Sequence, residues 1–184
     1  EQQLKKHKSL DPGKVIEILE SSLKALAYIH KQQLVHGNIK PANLIWKDAE
    51  HQVVLTDFAA IAEIVDSVPE IQKGYTPPEQ IAGKIYHASD LYALGITGIS
   101  ALTGMTPDRL KKNPATGEII WSDKIEVNQK LVKVLDKMVR LDLKKRYHSA
   151  PEVLKAIKKA KRGSLSIFDE SWVRYSLLFA TVSG

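Results

Sequence analysis

The sequence predicts a mainly α-helical domain with one small β-hairpin. In the longer segments apolar residues recur at spacings of three or four, the period of a helix that buries one face. Two short runs, 43–46 and 53–56, flank a polar turn at 47–50 and are typical of a hairpin. At 184 residues the chain has the length of one domain with its own hydrophobic core.

The first long helix is predicted to begin at Asp11-Pro12. Aspartate is a favoured N-cap, and proline is favoured at the first helical position. The apolar residues that follow at helical spacing would form its buried face: Val15, Leu19, Leu23, Leu26 and Ile29.

A second long helix, over 89–102, is predicted to be buried on most sides because its apolar residues are accompanied by few charges. Gly104 is expected to end it. Shorter helices are predicted near Pro78 and Pro107, followed by two more marked by apolar residues at 131–138 and 153–157.

The chain has no cysteine and a formal net charge of +6. Without cysteine there is no disulfide framework, thiol catalysis or cysteine-based zinc site, and we expect a reducing, cytoplasmic location. Most lysines lie on predicted amphipathic helices, so the charge indicates solvated faces rather than a nucleic-acid partner. The densest cluster, 155–162, closes the last predicted helix, where cations are favoured.

The segment most informative about function is 36–44, between the first helix and the hairpin. It places Lys40 and Asn43 in one loop, and Asp57 follows fourteen residues after Asn43. An amide oxygen and a carboxylate suit a hard divalent cation, and a neighbouring lysine can neutralise phosphate. Taken alone, the same residues are equally typical of turn chemistry.

The amino-acid sequence of residues 36–43, H-G-N-I-K-P-A-N, resembles the protein-kinase catalytic loop H-R-D-x-K-P-x-N. Asp57-Phe58-Ala59 resembles D-F-G, and Thr76-Pro77-Pro78-Glu79 resembles the A-P-E end of the activation segment. Asp90 resembles the aspartate that heads the central helix of the kinase C-terminal lobe, and Arg146 resembles its late arginine.

These motifs are in register over about residues 1–161, so the chain resembles the C-terminal lobe of a bacterial, cyanobacterial-like Hanks-type serine/threonine protein kinase. The resemblance implies a lobe at 1–161 without the small N-terminal lobe, and a tail at 162–184. We expect the tail to pack on the lobe; a partner- or membrane-surface segment and the start of a membrane-spanning helix are the alternatives.

The resemblance also implies the site. Asn38 occupies the catalytic aspartate position, beside the loop lysine Lys40. Lys40 and Leu44 would contact nucleotide, while Asn43 and Asp57 would hold the metal, so ATP with Mg²⁺ is the implied cofactor if nucleotide binding is retained.

Structural roles are implied for five further residues. His36 and Phe58 would stack in the core, Glu79 and Arg146 would form a buried bidentate ion pair, and Asp90 would accept hydrogen bonds from the catalytic-loop backbone.

Four departures from the kinase pattern decide the functional prediction. Asn38 replaces the aspartate that accepts the substrate proton. Gly37 replaces the arginine that gathers a phosphorylated loop. Gln72 replaces a threonine bonded to the loop lysine, and Ala59 replaces the D-F-G glycine.

The sequence therefore predicts a pseudokinase-like module with impaired or absent phosphoryl transfer, serving in binding or regulation. Its expected partner is another protein or the missing small lobe, which would cover an apolar surface near Leu44 and Phe58. An active serine/threonine kinase with an atypical catalytic loop is the alternative. A basic-surface nucleic-acid or lipid binder is the second alternative, and membrane contact through a segment beyond the tail is compatible with each.

Overall fold

The computed structural model describes residues 9–58 and 74–161. Five α-helices and four short strands follow one another in these ranges: α1 Pro12–Lys31, β1 Leu44–Lys47, β2 Gln52–Leu55, α2 Pro78–Ile81, α3 His87–Thr103, β3 Lys111–Lys112, β4 Ile119–Ile120, α4 Gln129–Met138 and α5 over 150–161. Single 3₁₀ turns lie at Pro41–Asn43, Pro107–Arg109, Ser122–Lys124 and Leu143–Lys145. The predicted mainly α-helical class is confirmed.

Helix α1 begins where the sequence predicts. The Asp11 carboxylate caps it by accepting hydrogen bonds from the backbone N–H groups of Gly13 and Lys14, at 2.8 and 3.2 Å. Its predicted stripe faces the core, where Val15, Leu19, Leu23 and Leu26 are buried. Two polar residues, Ser22 and His30, are buried on the same helix.

Helix α3 is the centre of the domain. Every residue from Ala88 to Leu102 is buried, because α1 and α4 both pack on this helix. Gly95 permits the close approach of α4: a Cβ atom there would lie 2.8 Å from Cγ1 of Val139. Gly104 ends the helix in the left-handed region, with φ of 67°.

The first hairpin pairs β1 with β2 antiparallel, with Leu44 opposite Leu55 and Lys47 opposite Gln52. It packs on α1, where the Ser21 hydroxyl accepts a hydrogen bond from Val53 N at 2.7 Å. Strand β1 begins one residue later than predicted, because Asn43 belongs to the 3₁₀ turn that precedes it. Strand β2 begins one residue earlier than predicted, at Gln52, which pairs with Lys47.

The prediction of a single hairpin was wrong. Residues Lys111–Lys112 and Ile119–Ile120 form a second antiparallel ladder. The Asn113 side chain holds its turn by accepting hydrogen bonds from Ala115 N and Thr116 N. Strands of two residues, one with only exposed lysines, have no alternating pattern that could have revealed them.

Within the described ranges no helix has the length and apolar character needed to cross a membrane. The predictions made for Ala59, Gln72, Arg162 and the tail at 162–184 lie outside the described residues.

Candidate functional site

The loop that resembles the catalytic loop is anchored to α3 through Asp90. This buried carboxylate accepts hydrogen bonds from His36 N at 2.8 Å and Gly37 N at 2.7 Å. From α2, the Gln80 side chain donates to the Gly37 carbonyl at 2.7 Å. Gly37 has φ of 71°, a conformation that glycine adopts without strain. Both polar backbone groups of Gly37 are therefore fixed by separate helices.

His30 is a member of this anchor that the sequence reasoning missed. Its Nε2 lies 2.8 Å from Asp90 Oδ2, and its ring stacks on His87 with centroids 4.2 Å apart. Burial, followed by the proximity of His30, lowers the pKa of His87. A signal was present, because His30 follows Leu26 by four residues on the buried stripe of α1, where a polar residue needs a partner.

Asn38, at the catalytic aspartate position, is held against the segment that resembles D-F-G. Its Nδ2 donates to the backbone carbonyl of Asp57 at 3.0 Å. Its Oδ1 is buried and has no hydrogen-bond partner within the described part of the chain. Asp57 itself has φ of 52°, in the left-handed region that non-glycine residues rarely adopt.

Asn43 is buried between the loop and the hairpin. Its Nδ2 donates to the Asn38 carbonyl at 2.8 Å, and its own carbonyl accepts from Thr56 N at 3.0 Å. With Nδ2 engaged, the amide oxygen is the atom that remains to ligate a cation. Lys40 precedes this turn and is half-buried.

The donor set fits Mg²⁺ held together with a nucleotide. Asn43 offers an amide oxygen, and the Asp57 residue, drawn to the loop by Asn38, offers an exposed carboxylate. No group of three or more His, Asp or Glu side chains in the described ranges could hold a metal ion by itself. Mg²⁺ commonly takes one or two protein oxygens and completes its shell with phosphate and water.

His36 and Phe58 stack, with ring centroids 4.2 Å apart and an interplanar angle of 26°. Burial lowers the pKa of His36, and its Nε2 has no partner among the described residues. Both residues were predicted to lie in the core. The prediction is confirmed for His36, which is fully buried, and is wrong for Phe58, which is 43% exposed. The His36 ring covers one face of the Phe58 ring, and the remainder of the Phe58 side chain is partly exposed to solvent.

The exposed apolar surface near Phe58 includes Ile45 in place of the predicted Leu44. Leu44 is half-buried and packs on the core, whereas the next residue, Ile45, is 49% exposed. Successive residues of a strand point to opposite faces, which places Ile45 outward when Leu44 points inward.

Glu79 and Arg146 form a bidentate ion pair. Arg146 Nη1 lies 2.6 Å from Oε1 of Glu79, and Nη2 lies 3.2 Å from Oε2. Burial, the largest single influence, raises the pKa of Glu79, but the hydrogen bonds from Arg146, a backbone N–H and Ser89, together with the charge of Arg146, outweigh it and hold this pKa below its ordinary value of 4.5. Three carbonyls accept the other Arg146 hydrogen bonds, those of Ala88 at 3.0 Å, Arg140 at 2.9 Å and Leu141 at 3.5 Å. Arg146 therefore connects α2, through Glu79, to the start of α3, through the Ala88 carbonyl.

The fold and these contacts define a class of protein. Residues 1–158 match the protein kinase domain family, and the chain belongs to it. The described residues have the architecture of the C-terminal kinase lobe, with α3 as its central helix and the anchored loop at its edge.

The chain is similar to two curated protein kinases from cyanobacteria. Serine/threonine-protein kinase B of Synechocystis is 38% identical over 170 residues, which are 85% of this chain and 30% of that protein. Serine/threonine-protein kinase PknA of Nostoc is 35% identical over 84% of this chain and 29% of its own length. The chain thus spans less than a third of these curated relatives.

Among solved structures, the chain is similar to the PknI kinase domain of Mycobacterium tuberculosis. The TM-score is 0.64 with 26% identity, covering 86% of this chain and 60% of that one. The relatives that the chain resembles, within the protein kinase domain family to which it belongs, are thus bacterial serine/threonine-protein kinases.

Proposed function

We propose that this domain is a pseudokinase-type regulatory module that has lost efficient phosphoryl transfer. The observation that carries the proposal is Asn38, whose amide occupies the position of the proton-accepting aspartate and donates to Asp57 O at 3.0 Å. An amide has no basic oxygen that can take the proton of a substrate hydroxyl. Loss of a general base typically slows a reaction by about 10²–10⁴-fold.

The geometry supports retention of the nucleotide side of the site. Asn43 is buried with its amide oxygen available, Asp57 is exposed, and Lys40 lies in the same loop. The loop itself keeps its anchor at Asp90. A module that binds Mg²⁺ and ATP without turning them over can use nucleotide as a signal for its conformation or partner affinity.

The exposed apolar residues Ile45 and Phe58 support a macromolecular partner on this side of the lobe. They are 49% and 43% exposed and lie on the hairpin and the segment just after it. A second kinase lobe or a separate regulatory protein would bury them, and burial of such residues contributes about 25 cal/mol per Å².

An active kinase with an atypical loop is the alternative, favoured by the retained Lys40, Asn43 and Asp57. In this reading Asn38 orients the substrate hydroxyl, while the metal and Lys40 stabilise the transferred phosphoryl group.

A phosphotransfer assay of the full-length natural protein distinguishes the pseudokinase proposal from the active-kinase alternative. ATP labelled on its γ-phosphate would be offered with Mg²⁺ or Mn²⁺ and a generic basic protein substrate. We expect background transfer from the wild type and a higher rate from Asn38→Asp, by up to about 10²–10⁴-fold. Asn113→Asp is the matched control, because it makes the same change in the turn between β3 and β4, where a side-chain oxygen of either residue can accept from Ala115 N and Thr116 N.

Wild-type transfer at the rate of Asn38→Asp, abolished by Asp57→Ala, would overturn the proposal and establish the active alternative. Background transfer by the wild type, with or without gain in Asn38→Asp, supports the loss of catalysis.

A further inference from the structure

Two neighbouring surface grooves lie beside α5, and Lys155 lines both. The first, of about 630 Å³, lies between α5 and the turn that precedes it and is also lined by Lys144 and Lys145. The second, of about 480 Å³, is also lined by Lys158 and Lys159. Because Lys155 is shared, the two grooves form one continuous surface. A sixth lysine of this surface, Lys137, lies over the Tyr147 ring, and we call the other five the basic face: Lys144, Lys145, Lys155, Lys158 and Lys159.

The protein neutralises little of this charge. Lys145 approaches Asp142 at 3.8 Å, in a pair that is largely exposed to solvent. The Glu152 carboxylate lines the first groove and keeps its charge, but Glu152 and Asp142 are only two carboxylates beside five lysines. Arg146 also borders the first groove, but its guanidinium is buried and paired with Glu79. The basic face therefore retains a net positive charge within the described part of the chain.

The helix macrodipole does not explain the arrangement. Its effect is confined to the last turn, yet Lys155 lies six residues before the last described residue of α5, and Lys144 and Lys145 precede the helix. Lys155 is also three and four residues from Lys158 and Lys159, spacings at which like charges repel and destabilise a helix. A cost of this kind indicates an anionic partner.

Apolar groups are interspersed with the lysines. Pro151 is exposed and Leu154 is half-buried, and both line the second groove beside the lysines. In the first groove Lys137 lies over the Tyr147 ring, 4.3 Å from its centroid. A helix face that combines lysines with apolar side chains is suited to an interface between charged headgroups and acyl chains.

We propose that the basic face is a docking surface for an anionic lipid membrane. All five of its cations are lysines, which act as point charges towards a layer of headgroups, whereas nucleic-acid recognition favours the planar fork of arginine. The sequence that follows α5 agrees with this partner, because it contains Trp172, Tyr175 and Phe179, aromatic types favoured at membrane interfaces. This inference is independent of phosphoryl transfer.

Vesicle sedimentation tests the inference with the whole chain. The probes are vesicles of phosphatidylcholine alone and of phosphatidylcholine with phosphatidylglycerol. We expect binding to the anionic vesicles that weakens as salt is raised, and at least about tenfold weaker binding when Lys155, Lys158 and Lys159 are all changed to Gln. These three residues are exposed, so the variant should keep its fold and melting temperature.

A matched variant shows whether vesicle binding depends on the basic face itself or only on the net charge of the protein. Lys84, Lys111 and Lys112 are exposed lysines on other parts of the lobe, and changing all three to Gln removes the same charge. We expect this control to keep nearly wild-type binding. A double variant, Lys158→Gln with Lys159→Gln, gives an intermediate loss and substitutes for the triple variant if that one unfolds.

Three outcomes would overturn the inference. One is equal loss in the two triple variants, which would mean bulk charge alone. Another is equal binding to vesicles without phosphatidylglycerol, which would assign binding to apolar segments. The third is binding to a DNA duplex that depends on the basic face while anionic vesicles are not bound, which would identify nucleic acid as the partner.

Discussion

The side chain of Asn38 donates a hydrogen bond from Nδ2 to the backbone carbonyl of Asp57, 3.0 Å away. This contact joins the loop that resembles the catalytic loop to the segment that resembles D-F-G. It requires a donor at residue 38, which the aspartate of the kinase pattern would not supply when ionised. The departure from the pattern therefore removes a base and adds a link between the two segments.

Asn38→Asp should destabilise the fold even where it raises phosphoryl transfer. The new carboxylate cannot donate to the Asp57 carbonyl, and one of its oxygens would face that acceptor. We expect a loss of about 1 kcal/mol in the free energy of unfolding, measured by urea denaturation. The control Asn113→Asp should change it by less than about 0.5 kcal/mol, because the aspartate keeps the accepting oxygen. An unchanged stability in Asn38→Asp would show that the Asn38–Asp57 contact contributes nothing.

Nucleotide should stabilise the chain only when a divalent metal is present. A ligand that binds the native state raises the melting temperature by mass action. We expect a shift with ATP and Mg²⁺ that is lost in Asp57→Ala and retained in Asp123→Ala, an exposed aspartate in another turn. The same shift without metal, or in Asp57→Ala, would contradict the assignment of Asp57 as a metal ligand.

Removal of Arg146 should be among the most damaging single changes in the lobe. Arg146→Met leaves the Glu79 carboxylate without its buried partner, at an expected cost of about 3–5 kcal/mol in urea denaturation. Lys145→Met, at the neighbouring exposed cation, should cost less than about 0.5 kcal/mol. Combining Arg146→Met with Glu79→Leu should recover part of the loss, because neither charge is then stranded. Strict additivity of the two changes would show that they do not form an energetic pair.

Stability should fall as the pH drops below the ordinary histidine pKa of 6.5. Burial lowers the pKa of His36 in the folded chain, so the unfolded chain takes up this proton first. The stability that His36 contributes is complete above that pH and is lost as the pH falls towards the folded-state pKa. The free energy of unfolding should therefore decline as the pH is lowered from about 6.5 to about 5.5.

His36→Phe keeps an aromatic ring against Phe58 and removes the titrating group, so its decline over this range should be smaller. Some slope should remain, because the pKa of His87 is lowered too. His148→Gln, at an exposed histidine, should leave the wild-type slope unchanged. Equal slopes in the wild type and His36→Phe would refute the assignment to His36.

Local patterns predicted most of the helical elements well. The cap at Asp11, the apolar stripe of α1 and the glycine that ends α3 are short-range signals, because each depends on residues within one or two helical turns. The second ladder was missed because its strands are two residues long and leave no periodic pattern.

The chemical groups of the candidate site could be read from the order of the amino acids alone. Asn38 in place of a carboxylate and the presence of Lys40, Asn43 and Asp57 are facts of composition and order, and they frame the functional proposal. The resemblance also indicated Asp90 as the anchor of the loop.

The contacts that hold these groups in place became visible in the folded chain. Gln80 reaches the Gly37 carbonyl, and His30 reaches Asp90 across 60 residues of sequence, through contacts that no local periodicity encodes. The exposure of Phe58 and the union of two lysine groups into one basic face were likewise settled by packing. The physical reason is that a hydrogen bond or a buried surface depends on which elements meet in space, whereas a sequence pattern specifies only the face that each element presents.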